Sequence, residues 1–455
     1  MELSVTQSFK PTDLKIPWRW SLLLLVVFAL ASPFDLSQSG GRLTPEQDTL
    51  VSQVENGNAA REIALLSFGL LSSFLLFKRG RGHLQVNGFL GWAVIFYVAL
   101  AVASPVWAED SSLAIRRVGV LIVLSLGALA TVERLSLIRT AALAVCVCGL
   151  TLLVSVGTEL GLRTFNPLDE SWRFSGVLHP VTQGWNCGLL AMSSLALAWA
   201  LPRKRGRLIL LALVGLVFLG LTRSRMPFIS TILATVVLGI FISRKTRKAT
   251  LVLMYVVLVC MGYLWFAMFV RGLNVAGTAT NIAAMGRGEE AASSLDTFTG
   301  RLPLWDEELS YVRARPILGY GYNAFFNPRN LESVSDALGW VPTSPHSGYI
   351  GTLLGLGLLG AAAFLCVLIS ALKRSLNLAW GNLDASYAAA VTIWLCCNLL
   401  LESTVIAEPS FPAFICMVVL GSLAFRGSSH FHRLPHKAKE NTAHTLRPVP
   451  SYSVR

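Results

Sequence analysis

The chain is dominated by long apolar segments, and this feature restricts its possible folds more than any other. Apolar residues make up 54% of the 455 residues and charged residues only 14%, which is too few charges for a soluble protein of this length. A segment of about 20 apolar residues can cross a bilayer as a helix, because a helix satisfies its own backbone hydrogen bonds. The sequence therefore predicts an all-α polytopic membrane protein.

The uninterrupted apolar windows predict about twelve transmembrane helices. They lie at 20–34, 62–77, 88–107, 116–132, 137–158, 180–201, 207–222, 226–243, 249–270, 347–372, 385–402 and 409–425. The predicted division is a cytoplasmic N-terminus at 1–19, nine helices within 20–270, a long extracytoplasmic loop at 271–346, three helices within 347–425, and a disordered cytoplasmic tail at 426–455. A loop of that length exceeds an ordinary connector, so we expect it to serve the function.

The distribution of lysine predicts the orientation. With the N-terminus inside, every lysine of the chain falls in a cytoplasmic segment, as the retention of positive charge on that side requires. Both termini are therefore predicted to be cytoplasmic. The first apolar window contains Ala29-Leu30-Ala31, which also suits a cleaved signal peptide. We favour an uncleaved anchor, because the apolar core is long for a signal peptide.

Several function classes are disfavoured by what the apolar windows contain. Their central parts hold no ionisable residue, although ion-coupled transporters use such residues. All eight cysteines lie in apolar windows, so neither a disulfide framework nor a metal-ligand spacing can be argued. The formal charge of +13 is scattered over short loops and forms no basic patch, so nucleic acid is not expected as a partner.

Two arginines occupy an exported loop, where the charge bias selects against them. Arg223 and Arg225 lie in Thr222-Arg223-Ser224-Arg225-Met226-Pro227, between two predicted helices. Guanidinium groups offer paired donors that match phosphate oxygens, and the start of the following helix would add to an anion site. The alternative is that both side chains reach ordinary lipid phosphates. We favour a specific phosphate or pyrophosphate site.

Other exported residues are weaker candidates on their own. Arg173 and Arg301 each have neighbouring Trp and Gly residues, as expected of loops at the membrane interface. His346 follows the long loop and could take a proton from a hydroxyl, although a structural histidine is an equal alternative. Arg116 and Arg117 flank a predicted helix, and we expect Glu109 and Asp110 to neutralise them.

Taken together, these motifs resemble the bacterial O-antigen ligase and polysaccharide polymerase superfamily, over roughly residues 170–425. The shared pieces are Arg173 with Gly176 and His179-Pro180; Thr222-Arg223-Ser224-Arg225; Gly300-Arg301 with Trp305; Arg315-Pro316-Ile317-Leu318-Gly319-Tyr320-Gly321; and His346-Ser347, nine residues, Gly357, two residues and Gly360. The last piece matches the histidine motif of ligases in this superfamily in full.

The resemblance implies a metal-independent glycosyltransferase without a cofactor, in the bacterial inner membrane. Its donor would be an undecaprenyl-pyrophosphate-linked glycan at the periplasmic face, and its acceptor a glycan or lipid A core. By analogy, Arg223 and Arg225, supported by Arg173 and Arg301, would hold the pyrophosphate, and His346 would orient or deprotonate the attacking hydroxyl. The lipid bilayer and a chain-length regulator are the further partners that the resemblance implies.

The segment from Arg301 to Gly321 is similar to polymerases in particular, so we predict polymerisation of lipid-linked repeat units in exopolysaccharide or O-antigen biosynthesis. Two alternatives stay open. One is a ligase that transfers the glycan from the lipid carrier to lipid A core or protein, and the other is a non-enzymatic glycan transporter or flippase.

Overall fold

The structure, a computed structural model, describes residues 18–31, 59–78, 84–169, 172–242, 301–342, 344–380, 382–403 and 408–427. These residues are 80% helical and contain no strand. The helices are α1 Trp18–Ala31, α2 Ala59–Lys78, α3 Gly88–Ala103, α4 Ser111–Arg134, α5 Leu137–Gly161, α6 Pro180–Ala200, α7 Arg205–Leu221, α8 Arg225–Ile242, α9 Arg301–Ala314, α10 Pro328–Leu338, α11 Gly348–Ala379, α12 Leu383–Leu401 and α13 Phe411–Phe425.

The predicted all-α membrane architecture is confirmed. The predicted number of twelve spans is not. Six helices in the described part of the chain are long and apolar enough to cross a bilayer: Gly88–Val106, Ser111–Arg134, Leu137–Gly161, Arg225–Ile242, Gly348–Ala379 and Leu383–Leu401. Helices α1 and α13 are apolar but shorter, and α7 has 17 residues. The predicted span 249–270 lies outside the described residues, as do 271–300 of the predicted loop, whose described part contains α9 and α10.

Helix α6, which was predicted from its apolar window at 180–201, also carries polar side chains that contact other helices. It carries buried polar side chains along its length, including Gln183, Asn186 and Ser193, and these lower its hydropathy. One of them, Ser193, shares a hydrogen bond with the Tyr387 hydroxyl of α12 at 2.8 Å. In the apolar centre of a bundle such bonds between helices hold the packing in register.

Helices α6, α8 and α12 form the centre of the bundle and are joined by indole and amide groups. The Trp185 indole donates to Asn398 Oδ1 at 3.0 Å, and Asn398 Nδ2 donates to Ser230 Oγ at 2.8 Å. The Trp394 indole donates to Thr231 Oγ1 at 3.1 Å. Because all of these side chains are buried, each bond replaces one that water would otherwise make.

The two ends of the bundle differ in their connecting segments and in the candidate residues that they carry. At one end, the connections are short and tie helices together, as where Asp384 Oδ1 accepts from Ile138 N at 2.6 Å. The other end is formed by the starts of α4, α6, α8, α11 and α13 and by the ends of α5, α7 and α12, together with the described parts of the connecting segments, 162–169, 172–179, 222–224, 301–342, 344–347, 402–403 and 408–410. We call it the site end, because every candidate residue of the sequence analysis lies there.

Candidate functional site

The turn between α7 and α8 is short and tightly folded. Thr222 N donates to Phe218 O at 3.0 Å and Arg223 N to Gly220 O at 3.0 Å, which continues the bonding of α7. Arg223 then adopts a left-handed conformation, with φ of 49°. The chain reverses here, and Arg225 is the first residue of α8. Arg223 therefore lies in the turn itself, whereas Arg225 lies at the start of a helix.

Arg173 holds this turn. Its Nε donates to Thr222 O at 3.1 Å, and its Nη2 donates to Ser224 Oγ at 3.1 Å. The next residue, Phe174, donates its backbone N–H to Leu221 O at 3.0 Å. The Arg223 guanidinium in turn donates to Asp169 O at 3.0 Å. Arg173 is therefore bonded to the arginine turn, and two of its donors act on the protein itself.

Glu159 is a site residue that the sequence analysis did not identify. It lies near the end of α5 and is buried, and its Oε1 accepts from Ser175 N at 2.9 Å and from Gly176 N at 2.7 Å. Gly176 has φ of 63°, and a Cβ added there would lie 2.1 Å from Ser155 Cβ. The carboxylate thus fixes the backbone that carries Arg173. A lone glutamate just after an apolar run was the available signal.

Arg301 connects α9 to the end of α12. Its Nη2 pairs with Glu402 Oε1 at 2.9 Å, and its Nη1 donates to Leu401 O. One turn further along α9, the Trp305 indole donates to Pro345 O at 3.0 Å, which brings the segment before His346 against the same helix.

The buried carboxyl group of Glu308, on α9, carries no negative charge at neutral pH. Glu308 is fully buried, and burial raises its pKa to about 9. The group is therefore protonated at neutral pH, and the carboxyl group that pairs with Arg301 is that of Glu402.

His346 is partly buried and has a left-handed φ of 49°. Burial, followed by the positive charge of Arg301 and that of His179, lowers the pKa of its imidazole to about 4. The ring lies beside Trp340, with centroids 6.5 Å apart, and among the described residues it has no hydrogen-bond partner. The imidazole is therefore neutral at neutral pH and able to accept a proton.

Positive groups converge around Arg301. The charges of Arg225 and Arg301 repel each other, and the charge of Arg301 also acts on His346. Bringing like charges together costs energy unless an anion lies between them. The structure thus brings Arg225, Arg301 and His346 into one charged region, whereas Arg173 and Arg223 are joined to it through the turn that precedes Arg225.

The glycine of the histidine motif breaks α11. Gly357 has φ of 63° and ψ of −163°, and the segment 315–322 is bonded across the break. Tyr320 N donates to Leu354 O and Gly321 N to Gly355 O, both at 2.8 Å, while Leu358 N donates to Pro316 O at 2.7 Å. A broken helix in a membrane needs its backbone groups satisfied by protein. Two motifs that are distant in sequence therefore form one structural unit that carries His346.

We expect Gly357→Ala to prevent assembly of this unit. A Cβ at this position would lie 2.2 Å from Ile317 O, and the positive φ adds a penalty of about 1 kcal/mol or more. The yield of folded protein after detergent extraction should fall sharply, as measured by size-exclusion chromatography and thermal unfolding. Gly157→Ala in α5 is the control, because an added Cβ there meets nothing within 4 Å. Equal yields from the two variants would contradict this interpretation.

Comparison with known proteins gives a match to the part of the chain that carries most of these motifs. Residues 209–365 match the family model described as O-antigen ligase. The matched region contains Arg223, Arg225, Arg301 and His346. The resemblance deduced from the sequence is confirmed by this match.

Two rickettsial proteins that are provisionally named polysaccharide ligases are similar to shorter stretches of the chain. The protein of Rickettsia prowazekii (strain Madrid E) is 32% identical over 104 residues, and that of Rickettsia felis (strain ATCC VR-1525 / URRWXCal2) is 29% identical over 101 residues. Each match covers 21% of this chain and 25% of the relative. The chain thus spans about a quarter of the length of these relatives.

Proposed function

We propose that this protein is a membrane glycosyltransferase that polymerises undecaprenyl-pyrophosphate-linked repeat units. One observation carries the proposal: Arg225, Arg301 and a neutral His346 share one charged region at the site end. Cations suit the diphosphate of a lipid-linked donor, and a neutral imidazole suits the activation of a hydroxyl. In this proposal the site end faces the periplasm and both termini are cytoplasmic. Metal independence remains a prediction.

In the proposed reaction, an acceptor hydroxyl oxygen attacks the anomeric carbon of the donor sugar. The bond between that carbon and the diphosphate oxygen breaks, and undecaprenyl diphosphate leaves with the bonding electron pair. The hydroxyl proton passes to an imidazole nitrogen of His346. The guanidinium groups of Arg225 and Arg301 stabilise the negative charge that develops on the leaving oxygen. Such electrostatic stabilisation of the transition state is usually the largest contribution to the rate.

The low pKa of His346 fits a base that becomes stronger when the donor binds. Arg301 contributes to lowering the pKa to about 4. A diphosphate bound to Arg301 would offset that positive charge and raise the pKa towards the ordinary value of about 6.5. Proton transfer to His346 is then favoured in the complex that is ready to react.

A ligase is the second candidate. The description of the matched family model and the names of both relatives favour it. The same groups would serve either reaction, because both release a lipid diphosphate and both activate a hydroxyl. The difference lies in the acceptor, which is another lipid-linked repeat unit for a polymerase and lipid A core or protein for a ligase.

The products of purified protein distinguish these functions. Incubation with undecaprenyl-pyrophosphate-linked repeat units alone should give a ladder of glycan lengths on gels if the protein is a polymerase. A single transfer that requires added lipid A core would instead establish a ligase. Movement of labelled donor across vesicles without new glycosidic bonds would establish a transporter and contradict the proposal.

A further inference from the structure

An exposed tryptophan lies beside the candidate base at the site end. The Trp340 side chain is 40% exposed, and the centroid of its ring lies 6.5 Å from that of the His346 imidazole. The planes of the two rings are tilted by 36°, so they meet at an angle and do not lie flat against each other. The large flat surface of an indole therefore borders the space next to the group that would accept the proton.

The backbone between the two rings is held at both ends. Gly339 ends α10 with φ of 73° and donates its N–H to Ser335 O at 2.8 Å, so the chain turns immediately before Trp340. The Trp305 indole of α9 donates to Pro345 O at 3.0 Å. Two prolines between the rings restrict the backbone further. The indole and the imidazole are therefore neighbours because the fold places them together.

Packing inside the protein does not account for the tryptophan. The buried apolar cluster of α9, α10 and α11 has Trp305 and Leu338 packed against it, but not Trp340. Buried indoles of this chain donate their N–H groups to protein acceptors, as those of Trp185 and Trp394 do. Among the described residues, the Trp340 indole has no acceptor. A large part of its surface and its N–H donor are thus left for another partner.

A sugar ring has the chemistry that fits this arrangement. The face of a sugar ring presents C–H groups with partial positive charge, and the face of an indole carries partial negative charge. Hydroxyl groups at the edge of the sugar can both donate and accept, so they suit an indole N–H and a neutral imidazole. An indole also loses little conformational entropy on binding, because it has two rotatable bonds.

We propose that Trp340 binds the acceptor glycan by stacking against the sugar whose hydroxyl His346 activates. This inference rests on the proposed function, in which His346 acts on the acceptor. In that reaction Arg225 and Arg301 hold the diphosphate of the donor, so Trp340 serves the other substrate. A lipid-linked repeat unit and lipid A core both offer such a sugar ring, whereas a protein acceptor does not.

Direct binding of a glycan that can act only as an acceptor tests the proposal. The probe is the octyl glycoside of one repeat unit of the polysaccharide that the source cell makes, which has no diphosphate leaving group. The full chain, labelled with fluorotryptophan, is titrated in detergent and followed by fluorine NMR, and each resonance is assigned by its absence from a Trp→Phe variant. We expect the Trp340 resonance to shift until the site is saturated. The resonance of Trp92, an exposed tryptophan on α3, should stay in place.

Kinetics separate glycan binding from an effect on the base. Trp340→Ala should raise KM for the octyl glycoside about tenfold, as expected when one aromatic contact is lost, and should change kcat little. Trp340→Phe should keep most of the affinity, because phenylalanine also offers an aromatic face. Trp92→Ala is the matched control and should leave both constants unchanged. A lower kcat with an unchanged KM in Trp340→Ala would show that the indole only positions His346, and would overturn the inference.

The NMR titration also separates this inference from the proposed reaction. A Trp340 resonance that does not move at millimolar glycoside would overturn the glycan site. The same holds if the resonance moves equally with phosphatidylglycerol, because Trp340 would then be an anchor at the membrane surface. A saturable shift with the glycoside, in a protein that transfers no sugar, would contradict the proposed reaction and support the glycan site.

Discussion

Replacing Arg225 with alanine is expected to reduce the rate of glycan transfer by about 10²–10³-fold, the range measured when one preorganised donor to a developing negative charge is removed. Arg225 is the first residue of α8, and its positive charge interacts with that of Arg301. Arg225→Lys should recover only a small part of the rate, because an ammonium group lacks the paired donors of guanidinium. Initial rates with purified protein and lipid-linked repeat units measure the effect.

The controls for Arg225 use arginines in other settings. Arg203→Ala, at the opposite end of the bundle, should leave the rate unchanged. Arg223→Ala should lower the rate less than Arg225→Ala, because the Arg223 guanidinium donates to Asp169 O. Parental rates in Arg225→Ala, with folded protein shown by gel filtration, would contradict the assignment.

Replacing His346 with alanine is expected to reduce transfer by about 10²–10⁴-fold, the usual contribution of a general base. Donor binding should change little, because the arginines remain. His346→Gln keeps a hydrogen-bonding side chain of similar size but cannot accept the proton, so it should be nearly as inactive. His179→Ala is the control: His179 Nδ1 accepts from Val181 N at 3.3 Å as a helix cap, and its loss should cost only about 1 kcal/mol of stability.

The pH dependence of the parent gives an independent measure of the same role. A base acts only when deprotonated, so activity should fall as pH drops through its pKa. In the free protein the pKa of His346 is about 4, and the acid limb of kcat/KM should lie near that pH. Because bound diphosphate offsets the Arg301 charge, the acid limb of kcat should lie at higher pH. Identical limbs in the parent and in His346→Gln would contradict the base role.

The sequence was sufficient to predict the helical membrane class, and it singled out a small set of candidate site residues. Apolar windows indicate helices because the bilayer leaves few other structures possible. Arg223 and Arg225 were selected because they lie in a predicted exported loop, where arginine is rare. These inferences depend on single positions or short windows, which a sequence displays directly.

The contacts between distant segments were not predictable in the same way. Glu402 follows Arg301 by about 100 residues, and Glu159 contacts the backbone of a loop that begins after it. Arg117 was expected to be neutralised by Glu109 and Asp110, its neighbours in sequence, whereas Glu109 pairs with Arg329 and the carboxyl group that acts on Arg117 is that of Glu408, from a distant part of the chain. Such pairings are set by which helices adjoin in the bundle.

The central claim is that Arg225, Arg301 and His346 act on one donor molecule, and a structure of the protein with bound undecaprenyl diphosphate in a lipid nanodisc tests it most directly. We expect the diphosphate to lie within hydrogen-bonding distance of both guanidinium groups, with the His346 imidazole facing the space next to its terminal phosphate. A diphosphate bound elsewhere, or Arg225 and His346 on opposite sides of the membrane, would contradict the account.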